Sequence, residues 1–251
     1  MVNSSNLVTA VITTSPLYGH PSTDVIDAAY ESIRYHLPNI RTLILMDGVR
    51  PEQLCWKERY EEYKTVLKNS MEWKDRFPWF GCNASFIEFN EFKHQAGMIR
   101  DALKNIHTPL ILWVEHDLPL LKEPIQWDQI GRLLLDKEVF SVRFLMDDVR
   151  KSYYERGTIE KYGVTLTKTV EYSSLPNIAR KDLYEFIVPH FDKAQIHLEC
   201  NNICGLFHKD DCKNWPLALY TPPDGKPRAG SRDGRSFGLA RTNGPKLPMR
   251  F

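Results

Sequence analysis

The chain has 251 residues, 42% of them hydrophobic and 26% charged, with a formal net charge of +1. That length buries a sizeable core and fits one large α/β domain, with or without an appended tail. The composition excludes a disordered chain and a surface built throughout for polyanions, and no apolar run approaches the ~20 residues needed to cross a bilayer. No basic segment precedes the apolar run Leu7 to Ile12, so a secretory signal is not expected and a cytoplasmic protein is the default reading. The five cysteines, an odd number in a chain large enough to dispense with staples, are expected to be reduced.

Leu7 to Thr14, rich in Val, Ile and Thr, reads as a first central strand ending at Ser15-Pro16. Ser22 or Thr23 then caps a helix in which Val25, Ile26, Ala29, Tyr30, Ile33 and Leu37 recur at helical spacing until Pro38. Arg41 to Met46 is a second strand, closed by Asp47-Gly48, a turn pair whose glycine supplies a positive φ. Pro51 opens a charge-laced helix to about Trp73. The aromatic stretch Phe77 to Gly81 reads as a loop, either buried packing or a stacking surface for a sugar or base. A strand at Ala84 to Phe89 and a helix at His94 to Ile106 follow. Strand and helix alternate throughout this half, which predicts a mostly parallel sheet covered on both faces, with the site at the carboxyl ends of the strands.

The apolar strand Leu110 to Val114 empties into Glu115-His116-Asp117. Alternation along an extended tip puts both carboxylates on one face, a perch for a divalent cation, Mg²⁺ or Mn²⁺, that bridges to a phosphate. In the second half, Pro124 to Lys137 and Arg180 to Val188 read as helices, and Val139 to Leu145 and Val164 to Tyr172 as strands. Ala194 to Leu219 has no clear period. Cys200, Cys204, His208 and Cys212 recur every four residues, which invites a zinc site. On a helix their ends lie ~18 Å apart, so only a nonhelical arrangement brings all four to one tetrahedral ion. From Tyr220 the composition shifts to Pro, Gly and Arg, giving a basic tail over 220–251 behind a body at 1–219.

The order of these parts resembles the GT-A fold glycosyltransferases, in particular their large inverting family with many bacterial and phage sugar transferases. The matching residues are the first strand and its loop at Thr13-Thr14-Ser15, Asp47 at the end of the second strand, Gly97 and Arg100 on the helix before the acids, and Glu115-His116-Asp117 in place of an Asp-x-Asp motif. Glu115 departs from the usual first Asp, and Asp101 stands where Asn often follows the arginine. The resemblance implies an α/β, GT-A-like domain whose residues 1–120 hold a nucleotide-sugar and metal and whose residues 121–219 face the acceptor. It implies a uridine diphosphate sugar as donor, Asp117 and Glu115 as metal ligands, Thr13, Thr14 and Ser15 at the nucleotide, and Asp47 at the base.

Departure of a nucleoside diphosphate demands compensation of charge on its oxygens, for which Arg100 and the tail residues Arg232 and Arg235 are candidates beside the metal. Arg100 in an ion pair and a solvated tail are the alternatives. Inversion requires a general base: Glu199, a carboxylate in an otherwise apolar stretch, with Asp148 and its neighbour Asp147 as alternatives. The acceptor is left open between a hydroxymethylated base in phage-type DNA and a glycan, protein or small molecule. Two rival readings are a nucleotidyltransferase of related architecture, whose Gly-rich phosphate loop is missing after the first strand, and a noncatalytic sugar- or nucleic-acid-binding protein on a degenerate transferase scaffold.

Overall fold

A computed structural model describes residues 6–76, 83–146, 155–170, 172–190 and 216–230. Within them the chain forms one nine-stranded sheet. Its first half runs β1 (Val8–Thr14), α1 (Asp24–His36), β2 (Arg41–Met46), α2 (Lys57–Asp75), β3 (Ala84–Glu88), α3 (His94–Ala102) and β4 (Leu110–Glu115). Its second half adds α4 (Trp127–Leu135), β5 (Ser141–Arg143), β6 (Glu155–Lys161), β7 (Val164–Thr169), β8 (Asn177–Arg180), α5 (Lys181–Ile187) and β9 (Leu217–Tyr220). The strand order is β3-β2-β1-β4-β8-β5-β9-β7-β6.

The first half follows its sequence pattern closely. β1 pairs in parallel with β2 on one side and β4 on the other, and β2 pairs in parallel with β3. Alternate residues of these buried strands feed two cores. Ala10, Ile12, Ile44, Leu112 and Val114 pack with α1, α2 and α4, whereas Val11, Leu43, Leu45, Ile111 and Trp113 pack with α3 and α5. The near-continuous apolar runs that marked these strands follow from burial on both faces.

The second half is mixed rather than mostly parallel: β8 runs antiparallel to both β4 and β5, β7 runs antiparallel to β6 and β9, and β5 with β9 is parallel. Three strands there have no clear sequence signal. β8 and β9 are four residues each, too short for a period to show, and β6 carries Glu, Arg, Gly and Lys among its residues. The Pro51 helix begins as a 3-10 turn over Pro51–Trp56 before α2 takes over.

The sheet also takes in Tyr220, and the chain beyond it packs back onto the body. Leu120 and Ala229 form a β-bridge, Leu121 N–H donates to the Arg228 carbonyl at 2.9 Å, and Gly230 N–H donates to the Pro119 carbonyl at 2.9 Å. Arg228, only 3% exposed, donates to the carbonyls of Pro124, Lys226 and Pro227 and pairs with Asp224. Residues 220–230 of the basic segment therefore lie on the body, while Arg232 and Arg235 lie outside the described residues. Among the described residues no helix is long and apolar enough to cross a membrane.

Candidate active site

The strand order places the site. From β1 the chain moves through α1 to β2 and through α2 to β3, then α3, on the opposite face, returns it to β4 on the other side of β1. The direction of winding reverses between β1 and β4, and the crevice outside their carboxyl ends is where such sheets bind ligands. Thr13 lies opposite Glu115 in that ladder, so Thr13-Thr14-Ser15 and Glu115-His116-Asp117 form the two lips of the crevice.

β4 ends at Glu115, and Leu118 N–H donates back to the Glu115 carbonyl at 3.0 Å. The acids therefore belong to a tight turn, not to the extended tip expected from alternation. His116 fixes that turn to β1. Its backbone N–H donates to the Thr13 carbonyl at 3.1 Å and its Nδ1 contacts the same oxygen at 2.9 Å. A carbonyl partner makes Nδ1 the donating nitrogen. Nε2 is buried and has no hydrogen-bond partner among the described residues. Glu115 is held by the Ser174 hydroxyl, which donates to Oε1 at 3.0 Å, and Asp117 is 7% exposed.

The β1 lip rests on a stack of rings that the sequence reading did not single out. His20 lies over Tyr63 with centroids 3.9 Å apart, and Tyr60 stacks alongside at 5.3 Å from His20 and 5.6 Å from Tyr63. The Tyr63 hydroxyl and Thr14 Oγ1 are 3.0 Å apart, and the Tyr60 hydroxyl donates to the Thr14 carbonyl at 3.4 Å. His20 Nδ1 accepts from Leu17 N–H at 3.1 Å, which holds the loop after β1 in its bend. Burial, helped by the nearby His116 and Arg59, lowers the His20 pKa to about 4, and burial pushes both tyrosines up. All three rings are neutral near pH 7. The available signal was Tyr60, Tyr63, Leu67 and Met71 at helical spacing in an otherwise charged helix.

Asp47, the residue for which the resemblance implied a base contact, is tied to the protein through both carboxylate oxygens. It is 2% exposed, and its carboxylate accepts from Gly48 N–H at 2.8 Å and Lys93 N–H at 2.7 Å through Oδ1, and from His94 N–H at 2.9 Å through Oδ2. Burial pushes its pKa up and the three amides oppose that rise. Asp47 thus caps α3 from a distance, because Lys93 at the helix N-cap offers no side-chain cap. It also holds His94 at φ +52°, a conformation costly for a residue other than glycine. Gly48 serves close approach rather than positive φ: a Cβ there would lie 2.2 Å from the Glu91 carbonyl carbon.

Arg100 is exposed on α3, where Gly97 closes on the Lys93 side chain, 3.1 Å from where its Cβ would be. Glu199, Asp147, Asp148, the Phe77–Phe80 aromatics and the Cys200, Cys204, His208 and Cys212 cluster lie outside the described residues.

No family model and no curated protein matches the chain. Solved structures do. S. aureus TarS 1-349 superposes with a TM-score of 0.55 at 11% identity, over 90% of this chain and 60% of that one. The same protein in complex with UDP-GlcNAc gives 0.54 at 10% identity, over 92% and 62%. GalNAc-T7 with UDP, GalNAc and Mn²⁺ gives 0.55 at 10% identity, over 90% and 43%. This is a GT-A fold. The chain spans about 60% of the length of the TarS chain and less than half of the GalNAc-T7 chain.

A divalent cation fits the acid turn in one respect and is not caged by it. Among the described residues no group of three or more His, Cys, Asp or Glu is assembled that could hold an ion. Glu115 and Asp117, at the end of β4 and in the turn after it, carry hard carboxylate donors. That set suits Mg²⁺ or Mn²⁺, whose remaining positions are ordinarily filled by water and phosphate oxygens.

Proposed function

We propose that this chain is a metal-dependent glycosyltransferase that moves a sugar from a nucleoside diphosphate sugar, a UDP-sugar first, to an acceptor hydroxyl. The observation that carries the reading is the placement of the two-carboxylate turn at the winding reversal between β1 and β4, on a fold shared with TarS and GalNAc-T7. Asp117 and Glu115 would hold Mn²⁺ or Mg²⁺, which when bound neutralises charge on the departing diphosphate. Thr13, Thr14 and Ser15 line the opposite lip and shape it for the nucleotide, braced by the Tyr60, Tyr63 and His20 stack.

The half up to about residue 120 serves the donor, and the mixed half that follows serves the acceptor. Arg100, Arg232 and Arg235 are the cationic side chains assigned to the phosphates. Gly230 is hydrogen-bonded to Pro119, two residues past Asp117. Glu199 is the first candidate for the general base and Asp148 the second. The acceptor is a sugar hydroxyl of a glycan or the hydroxymethyl group of a modified DNA base. A near-neutral chain suits contacts confined to one basic segment.

The test is thermal stabilisation by nucleoside diphosphates and their sugars, with Mn²⁺, Mg²⁺ or chelator, in the parent protein and Asp117→Ala. The expected result is a metal-dependent rise in Tm with one nucleotide class, lost in the variant. A parent protein that responds to no donor removes the transferase reading and favours a degenerate binding scaffold. A response to nucleoside triphosphates alone favours nucleotidyl transfer.

A further inference from the structure

The loop that continues the β1 lip is closed by a side chain. Leu17, Tyr18, Gly19 and His20 form a turn in which His20 N–H donates to the Leu17 carbonyl at 3.2 Å, and Leu17 N–H donates to His20 Nδ1 at 3.1 Å. The two residues are thus tied in both directions, once through the backbone and once through the ring. Tyr18 and Gly19 are exposed at the tip, whereas His20 is 3% exposed, so the chain runs outward and returns to deliver the imidazole to α2. There it stacks on Tyr63 and Tyr60, the same two side chains that hold Thr14. Gln53 Nε2 donates to the Pro16 carbonyl at 3.4 Å, so Thr14, Pro16 and Leu17 each have a partner outside β1.

A backbone amide can only donate, so Nδ1 must present a lone pair to Leu17, and the single proton of the neutral ring sits on Nε2. Burial, with His116 and Arg59 nearby, disfavours a second proton. The ring therefore does two separable things. The stack needs a flat ring, whereas the turn needs an acceptor at the Nδ1 position.

We infer that His20 is a positioning residue for the donor nucleotide, acting through the Nδ1 acceptor that shapes the lip from Thr14 to Leu17 rather than through its stacking on Tyr63. The inference rests on the transferase reading above, which gives that lip to the nucleotide. Loss of the acceptor sends Leu17 N–H to water, and because Leu17 lies three residues past Thr14, its movement carries Ser15 and Pro16 with it. Loss of the stack leaves both turn bonds in place and removes only packing beneath them. The first loss acts on nucleotide affinity and the second on stability. A residue that served structure alone would lower both together.

The test compares calorimetric titration with UDP and with GDP, each with Mn²⁺, and Tm without ligand, in the parent protein, His20→Phe and His20→Asn at neutral pH. The phenylalanine keeps a ring on Tyr63 and has no acceptor. The asparagine side-chain oxygen can stand close to the Nδ1 position and makes no ring stack. His20→Phe is expected to bind the preferred nucleotide about tenfold more weakly, the scale of one hydrogen bond to a partly buried amide, while keeping the higher Tm of the two variants. His20→Asn is expected to bind within about threefold of the parent although its Tm falls further. The nitrogen NMR spectrum of the parent ring is expected to show its proton on Nε2. The role is overturned if affinity follows Tm across the three proteins, if both variants bind as the parent does or lose affinity alike, or if the ring proton is on Nδ1. A parent protein that binds neither nucleotide overturns the transferase reading and this inference with it; nucleotide binding indifferent to both substitutions overturns only the role of His20.

Discussion

His116 and Thr13 are joined twice, by the backbone amide of His116 at 3.1 Å and by its Nδ1 at 2.9 Å, both to the same Thr13 carbonyl oxygen. The middle residue of the acid motif is thereby a fastener that sets the turn carrying Glu115 and Asp117 against the β1 lip. His116→Leu removes the side-chain tie and is expected to lower metal-dependent nucleotide affinity about tenfold, with a stability loss of ~1 kcal/mol for the buried hydrogen bond. His116→Asn, whose amide N–H can stand close to the Nδ1 position, is expected to recover most of both. Calorimetric titration of nucleotide with Mn²⁺ decides it; equal loss in both variants would show that the imidazole acts through Nε2 instead.

Ser174, just before β8, holds one oxygen of Glu115 at 3.0 Å. Groups that orient a metal ligand typically contribute 10- to 100-fold to metal affinity when removed. Ser174→Ala is expected to weaken Mn²⁺ binding about tenfold while Tm without metal moves by only a degree or two. A variant with parental Mn²⁺ affinity would place Glu115 outside the ligand set and leave Asp117 as the working carboxylate.

Gly48→Ala is expected to be among the most damaging small substitutions in the protein. The added Cβ would meet Glu91 backbone atoms at 2.2 and 2.5 Å, and backbone cannot rotate aside as a flexible side chain does. Pushing the loops apart also strains the Asp47 bonds to Lys93 and His94. A loss of about 2–4 kcal/mol is expected in urea unfolding. Gly131→Ala, where nothing lies within 4 Å of the new carbon, is expected to be neutral or slightly stabilising and serves as the control.

The His20 ring gives stability a pH dependence. Its pKa falls from the ordinary 6.5 to about 4, with burial the largest cause. A group whose folded-state pKa is depressed binds fewer protons folded than unfolded, so its contribution is fully present above pH 6.5 and declines as pH falls toward 4. The full contribution is of order 3 kcal/mol. Tm measured from pH 7.5 to 4 is expected to fall more steeply in the parent than in His20→Phe, which keeps a ring on Tyr63 without a titrating nitrogen. Parallel curves would assign the acid lability to other groups.

The first half of the fold was legible because β1, β2 and β4 are buried apolar runs and the first two helices begin or end at recognisable signals. Thr14 gives way to Ser15-Pro16, α1 stops before Pro38, and α2 follows Pro51. The location of the acids at the crevice was legible for the same reason. The role of Asp47 was not, because an Asp-Gly pair after a strand reads as a turn whether its carboxylate faces a ligand or a distant helix end. The missing cap at Lys93 was the one clue. β8 and β9 were hidden by their length, since four residues buried among other strands can be as well read as helix.

The clip at Arg228 to Gly230 makes the segment after the acid turn and residues 228–230 hydrogen-bonded neighbours. Gly230 is bonded to Pro119, and Arg232 follows two residues later. A cut made after Gly230 leaves both sides of that contact in place, whereas a cut made before Arg228 separates them.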